Sequence, residues 1–150
     1  MKDSPLDRTD RQIIGALAVD GRISFAELGR RVNLSAPAVT ERVRRLEETG
    51  VITGYRAEID PRALGYPLTA IVRVKPAIRQ LSKVAELAAE IPEVVECLRI
   101  TGEDCFYIKL HLGSIEELPT ALDRFLLYGE TTTSIVNATP VARRDPPLRG

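Results

Sequence analysis

The sequence predicts an α+β chain in two parts. The first is an N-terminal helix-turn-helix of three helices and winged type. The second is a C-terminal ferredoxin-like βαββαβ domain. Three observations lead there: a tight Val32-Asn33-Leu34 turn between two short amphipathic helices, a change of apolar period near residue 60, and alternating strand and helix patterns over residues 67–139. The expected divisions are residues 1–52 for the helical domain, 53–66 for an extended linker strand, 67–139 for the sheet domain and 140–150 for a loose tail rich in proline and arginine.

The first helix starts after Asp7 as N-cap, with Asp10 in its first turn and Leu6 in the staple position. Ile13, Ile14 and Leu17 share a face, and Asp20-Gly21 ends the helix, with glycine expected in a left-handed cap. Ser24 and Glu27 have the spacing of a capping box that opens a second helix, whose buried side should hold Phe25, Leu28, Gly29 and Val32. Glycine inside a helix costs about 1 kcal/mol relative to alanine, so Gly29 implies close approach of another backbone. Asn33 tolerates left-handed geometry, Ser35 caps the third helix, Pro37 lies in its first turn and Gly50 stops it. Ala36, Val39, Val43 and Leu46 form its buried stripe.

In the second part, Leu68, Ala70, Val72 and Val74 alternate as a strand, and Leu81, Val84, Ala85 and Ala88 recur at helical spacing. A second strand spans residues 94–100 and a turn follows at 101–104. Phe106, Ile108, Leu110 and Leu112 alternate along a third strand. Leu118, Leu122, Phe125 and Leu126 mark a last helix, and residues 134–139 a final short strand. Pro119 would break a helix that started at Ser114, which favours a start at Leu118.

Composition narrows the function. The 150 residues carry 21 basic and 21 acidic side chains, so any attraction to nucleic acid must be local. One histidine and two cysteines make catalytic and metal sites poor candidates. There is no Gly-rich phosphate loop, nucleophile–base pair or metal-ligand spacing, so neither an enzyme nor a cofactor is expected. Cys97 and Cys105 are expected on pairing strands, near each other, as reduced core thiols. His111 is expected on the sheet surface. No apolar run is long enough for a membrane span, and the first residues lack the apolar core of a signal peptide, so a cytoplasmic protein is expected.

Between Arg30 and Arg45 stand five arginines and one acid, Glu41, a local excess of four positive charges that suits phosphate. A solvated arginine-bearing face would look the same in sequence. The tight turn, Gly29 and the outward arginines together favour double-stranded DNA. Ser35, Pro37, Ala38, Thr40 and Glu41, near the start of the third helix, are then candidates for base edges. Arg42, Arg44 and Arg45 are candidates for phosphate, Arg44 also for guanine, and Arg30 and Arg31 are weaker phosphate candidates. A two-fold dimer would read half-sites roughly 34 Å apart.

These residues resemble the Lrp/AsnC regulators: Leu6-Asp7-Arg8-Thr9-Asp10, Asp20-Gly21-Arg22, Glu27-Leu28-Gly29, Leu34-Ser35, Arg42-Val43-Arg44-Arg45-Leu46-Glu47 and Gly50-Val51-Ile52. Pro92-Glu93-Val94, Thr101-Gly102-Glu103-Asp104 and Thr131-Thr132-Thr133-Ser134-Ile135-Val136 resemble the markers of that family's RAM effector domain, so the resemblance covers about residues 6–139. It implies a feast/famine transcriptional regulator whose sheet domains dimerise and assemble further, to octamers. An amino acid or related metabolite would bind between neighbouring effector domains and change DNA affinity or assembly. Gly102, Asp104, Thr131 and Thr133 are the effector-binding residues it implies; Cys105 departs from the aromatic residue usual after the turn acid. Backbone N–H groups around a glycine turn can hold a carboxylate, and Asp104 an ammonium group. The same four residues also suit an ordinary hairpin and strand. A metabolite sensor acting through protein contacts, without DNA, is the alternative.

Overall fold

The computed structural model describes residues 6–148. Met1–Pro5, which bear on the signal-peptide reading, and Arg149–Gly150 of the expected tail lie outside the described residues. The chain forms two compact units, residues 6–58 with 143–148, and residues 59–142.

The first unit holds α1 (Arg8–Val19), α2 (Phe25–Val32) and α3 (Ala36–Glu48). Asp7 and Asp10 form a reciprocal capping box: the Asp10 amide donates to Asp7 at 2.7 Å and the Asp7 amide to Asp10 at 3.2 Å. At the other end Asp20 is extended and its carboxylate accepts the Arg22 amide at 2.9 Å. That side chain turns the corner, so Gly21 is not the left-handed cap expected of it. Ser24 accepts the Glu27 amide at 3.1 Å, but the Glu27 carboxylate bonds Arg30 and Arg31 instead of returning to the cap, which leaves half of a capping box.

Asn33 is left-handed at φ 56°, ψ 45°, and reverses the chain within one residue. The Leu34 amide then donates to the Gly29 carbonyl at 2.9 Å. A Cβ built on Gly29 would stand 2.5 Å from the Leu34 carbonyl oxygen, which is the close backbone approach that the glycine implied. Ile13, Leu17, Ile23, Leu28, Val32, Val39, Val43 and Leu46 make the core. Phe25 lies outside it, 38% exposed, because it is the first residue of α2, ahead of the turn that packs.

Residues 53–60 pair with no strand, so neither the wing nor the linker strand over 53–66 forms within the described chain. The alternation of Tyr55, Ala57 and Ile59 with charged residues has no ladder to join, and Asp60-Pro61 starts a 3-10 turn over Pro61–Leu64 that Gly65 closes at φ 88°. The Tyr55 hydroxyl donates to Glu47 at 2.9 Å; burial, then that carboxylate, push its pKa up to about 12. Residues 143–148 group with the helices, and Leu148 lies against α1 at Gly15.

The second unit runs β1 (Leu68–Pro76), α4 (Leu81–Glu90), β2 (Val94–Arg99), β3 (Phe106–Leu112), α5 (Leu118–Leu126) and β4 (Gly129–Ile135). The antiparallel order β2-β3-β1-β4 is the ferredoxin-like arrangement. Cross-strand partners share a face, so Ala70, Val72 and Val74 join Phe106, Ile108 and Leu110 on one side. Within this unit's core, Val72, Val74, Phe106, Ile108 and Leu110 of that face pack with Val84, Leu87 and Ala88 of α4 and Phe125 of α5. Ala85, expected in the α4 stripe, is exposed, and Leu87 is buried in its place. The start of α5 at Leu118 puts Pro119 in the first turn, where no amide is missed.

β4 spans Gly129–Ile135, not the expected 134–139. Gly129 lies so close to the Lys75 carbonyl that no Cβ fits, and pairing starts there, with the β-branched Thr131 opposite Val74 and Thr133 opposite Val72. Phe125 is fully buried beneath this sheet. Phe125→Ala is expected to lower the stability of the unit by about 3–5 kcal/mol. Urea unfolding followed by circular dichroism measures it, and a loss below 1 kcal/mol would refute this account of the core.

Candidate DNA-reading helix and effector turn

The exposed side of α3 carries Pro37, Thr40, Glu41, Arg44 and Glu48; Ser35 is exposed at the cap and Ala38 half-buried. The Ser35 hydroxyl accepts the Ala38 amide at 3.3 Å, and the Thr40 hydroxyl donates to the Ala36 carbonyl at 2.9 Å. Both residues are exposed, and each hydroxyl oxygen keeps acceptor capacity beyond the bond described. Arg44 pairs with Glu41 at 2.6 Å and with Glu48 at 3.0 Å along the helix surface. The Glu41 carboxyl is held below its ordinary range by its hydrogen bond from Arg44.

Arg42 and Arg45 turn toward α1. Arg42 donates to Asp7 at 2.7 Å and to Asp10 at 2.8 Å, and Arg45 donates to Asp10 at 2.8 and 2.9 Å. The Asp10 side chain is 3% exposed. Asp7 is held below its usual range first by the Asp10 amide and then by Arg42. The sequence reading missed Asp10 as a charge partner. The available signal was spacing: Asp10, Ile13 and Leu17 stand at i, i+3 and i+7, so an acid lies on the buried stripe and needs a cation.

The local charge argument therefore changes. Each of the five arginines between 30 and 45 is bound to a carboxylate: Arg30 and Arg31 to Glu27, Arg42 to Asp7 and Asp10, Arg45 to Asp10, and Arg44 to Glu41 and Glu48. Five acids balance five bases, because four of the acids lie outside the window in which the excess was counted.

In the second unit, Gly102 holds φ 115° in the exposed β2–β3 turn, a conformation that L side chains rarely adopt. Asp104 is half-buried and ion-paired with Arg73 at 3.1 Å. Arg73 stands on the sheet face away from the helices, opposite Tyr107 and Thr132. Thr131 and Thr133 oppose Val74 and Val72 and so share the helix-facing side. The turn and the start of β4 lie at the same end of the sheet with β1 between them, so one chain does not gather all four residues. A cleft of about 730 Å³ between α4 and β2 includes Arg99 and Phe106 but none of the four.

The cysteines are free, and Cys97 is exposed on β2 and not the core thiol expected, while Cys105 is half-buried. Cys97 opposes Ile108, while the Ile100 amide bonds the Cys105 carbonyl, three residues further along. At about 3.3 Å per residue this separation exceeds disulfide reach, which corrects the expected proximity. Partial desolvation also raises the Cys97 pKa, which disfavours the reactive thiolate. His111 is on the open sheet face as expected, with Nδ1 3.0 Å from the Thr69 hydroxyl; burial, then Lys109, lower its pKa. No group of metal-ligating side chains and no helix long and apolar enough to cross a membrane occurs among the described residues.

A capped helix-turn-helix and a four-stranded antiparallel sheet with two helices, joined in one chain, are the parts of a two-domain regulator of the helix-turn-helix class. Residues 6–47 match the AsnC-type helix-turn-helix domain and residues 69–146 the Lrp/AsnC ligand binding domain. The chain belongs to the Lrp/AsnC family. It is 35% identical over 131 residues to the HTH-type transcriptional regulator LrpC of Bacillus subtilis, covering 87% of this chain and 91% of that one. The structure of LrpC superposes with a TM-score of 0.87 at 33% identity, covering 93% and 99% of the two chains. The feast or famine regulatory protein Rv3291c of M. tuberculosis, complexed with L-methionine, gives 0.88 at 34% identity, covering 95% and 99%. The regulator NMB0573 of Neisseria meningitidis, in an L-Met complex, gives 0.85 at 25% identity, covering 93% and 94%.

Proposed function

We propose that the protein is a cytoplasmic, non-enzymatic regulator that binds promoter DNA as a homodimer or a higher oligomer such as an octamer. An amino acid bound between effector domains shifts its DNA affinity or assembly. The observation that carries the DNA reading is the exposed side of α3, presented by the Gly29–Asn33 turn and bearing Thr40, Glu41 and Arg44. In this reading Ser35, Pro37, Ala38, Thr40 and Glu41 face base edges, and Arg42, Arg44 and Arg45 face phosphate.

The L-methionine complexes of two relatives support an amino-acid effector. Because Asp104 and Thr131 lie on opposite sides of β1, the proposed site is completed by a neighbouring copy. Asp104 would leave Arg73 for the ligand ammonium, while the amides around Gly102 receive its carboxylate. Residues 53–66 act as the linker between the functional parts.

Footprinting on DNA from directly upstream of the protein's own gene, with and without pooled amino acids, tests both halves. Arg44→Ala is expected to weaken binding and to lower the slope of log affinity against log salt by about 0.9 per phosphate lost. Unchanged affinity in that variant would refute this placement of the helix. The pairing of all five arginines favours the alternative, a sensor working through protein contacts, which predicts calorimetric effector binding with no protected DNA.

A further inference from the structure

Asp10 is the one buried charged residue described, and what it holds bears on the DNA-facing arginines. Its Oδ1 accepts from Arg42 and Arg45, and its Oδ2 accepts from Arg45 and from the Asp7 amide. Both carboxylate oxygens are therefore satisfied, as a charge this buried requires.

Neither guanidinium is used up. Arg42 spends Nη1 on Asp7 and Asp10, and its Nε and Nη2 make no hydrogen bond among the described residues. Arg45 spends Nη2, and its Nε and Nη1 likewise make none. Arg42 is 29% and Arg45 48% exposed at the side chain, so each guanidinium is held through one terminal nitrogen while its side chain keeps access to solvent. A planar guanidinium held at one terminal nitrogen keeps its remaining N–H donors in fixed directions for a further acid, which a freely rotating ammonium group does not.

We propose that Asp10 is a positioning residue for duplex binding: by holding Nη1 of Arg42 and Nη2 of Arg45, it sets both guanidiniums on α3 in fixed orientation as phosphate clamps. The inference rests on the duplex-binding reading above. Holding the side chains beforehand removes the ordering cost that a free arginine meets on binding. It also gives the α1–α3 contact a second role, since the pairs that fix the angle of α3 fix its phosphate donors as well.

The test measures binding of full-length protein to the upstream duplex across a salt series, against random-sequence duplex, for wild type, Asp10→Asn and Arg42→Lys. Asp10→Asn, folded by circular dichroism at the assay temperature, is expected to bind roughly tenfold or more weakly. Its salt slope should be shallower by about 1.8 per chain, two phosphates at about 0.9 each. Arg42→Lys keeps the charge and one ion pair, so it should melt near wild type yet bind roughly tenfold more weakly.

A folded Asp10→Asn protein with an unchanged slope would show a purely structural aspartate and overturn the proposal. Wild-type affinity in Arg42→Lys would do the same, and that variant decides alone if Asp10→Asn does not fold. Wild-type protein that binds no duplex defeats the duplex reading itself, a result distinct from either variant outcome.

Discussion

Gly29→Ala is expected to destabilise the helical unit by about 2–3 kcal/mol net and to abolish DNA protection. Helix propensity alone argues the other way, since alanine gains about 1 kcal/mol over glycine inside a helix. The contact decides the sign. The new Cβ would stand 2.5 Å from the Leu34 carbonyl oxygen, a backbone atom with no rotamer to escape into. Leu34 cannot retreat without breaking its 2.9 Å hydrogen bond to the Gly29 carbonyl, and Asn33 already holds the only left-handed step of the turn. The turn must therefore open, and with it the angle that presents α3. A thermal melt gives the result directly; a melting temperature equal to or above wild type would refute the argument.

Asp104→Ala is expected to remove the effector response while leaving ligand-free DNA binding intact. A carboxylate–ammonium hydrogen bond contributes about 1.5–3 kcal/mol, a ten- to hundredfold loss of effector affinity. Asp104 is half-buried and its ion pair with Arg73 is confined to the sheet unit, so its removal leaves every contact of α3 in place. Calorimetry with L-methionine and the other common amino acids, paired with footprinting, separates the two effects. Should Asp104→Ala respond to the effector as wild type does, the pocket lies elsewhere; should it lose DNA binding without any ligand, the residue is structural.

Short-range chemistry was legible in the residues. Asp7, Ser24 and Ser35 cap the helices they were expected to cap, Asn33 turns left-handed and Gly29 meets another backbone. The period-two strands gave the sheet because each buries one face against two helices. What could not be read were relations across sequence distance. The acids that hold Arg42 and Arg45 stand 32 to 35 residues upstream, so a local charge count overstates the positive excess. The cysteines missed each other because the hairpin register sets Cys97 opposite Ile108 and Ile100 beside Cys105, three residues apart along the ladder. The early start of β4 depends on Gly129 slipping past Lys75, a tertiary contact with no local signature. Among the effector residues, positive φ at Gly102 was foreseeable, whereas the strand dividing Asp104 from the threonines emerges only from the pairing order.

The matched arginines and carboxylates of the helical unit have a kinetic consequence. A polyanion diffusing nearby meets alternating charges that cancel within a Debye length, about 8 Å in physiological salt. Electrostatic steering, which can raise association toward about 10⁸–10⁹ M⁻¹s⁻¹, is weakened by this pairing, and arrival at DNA is expected closer to the unsteered rate of about 10⁵–10⁶ M⁻¹s⁻¹. Competing sites are visited without being gripped, and dwell time at the right one carries the discrimination.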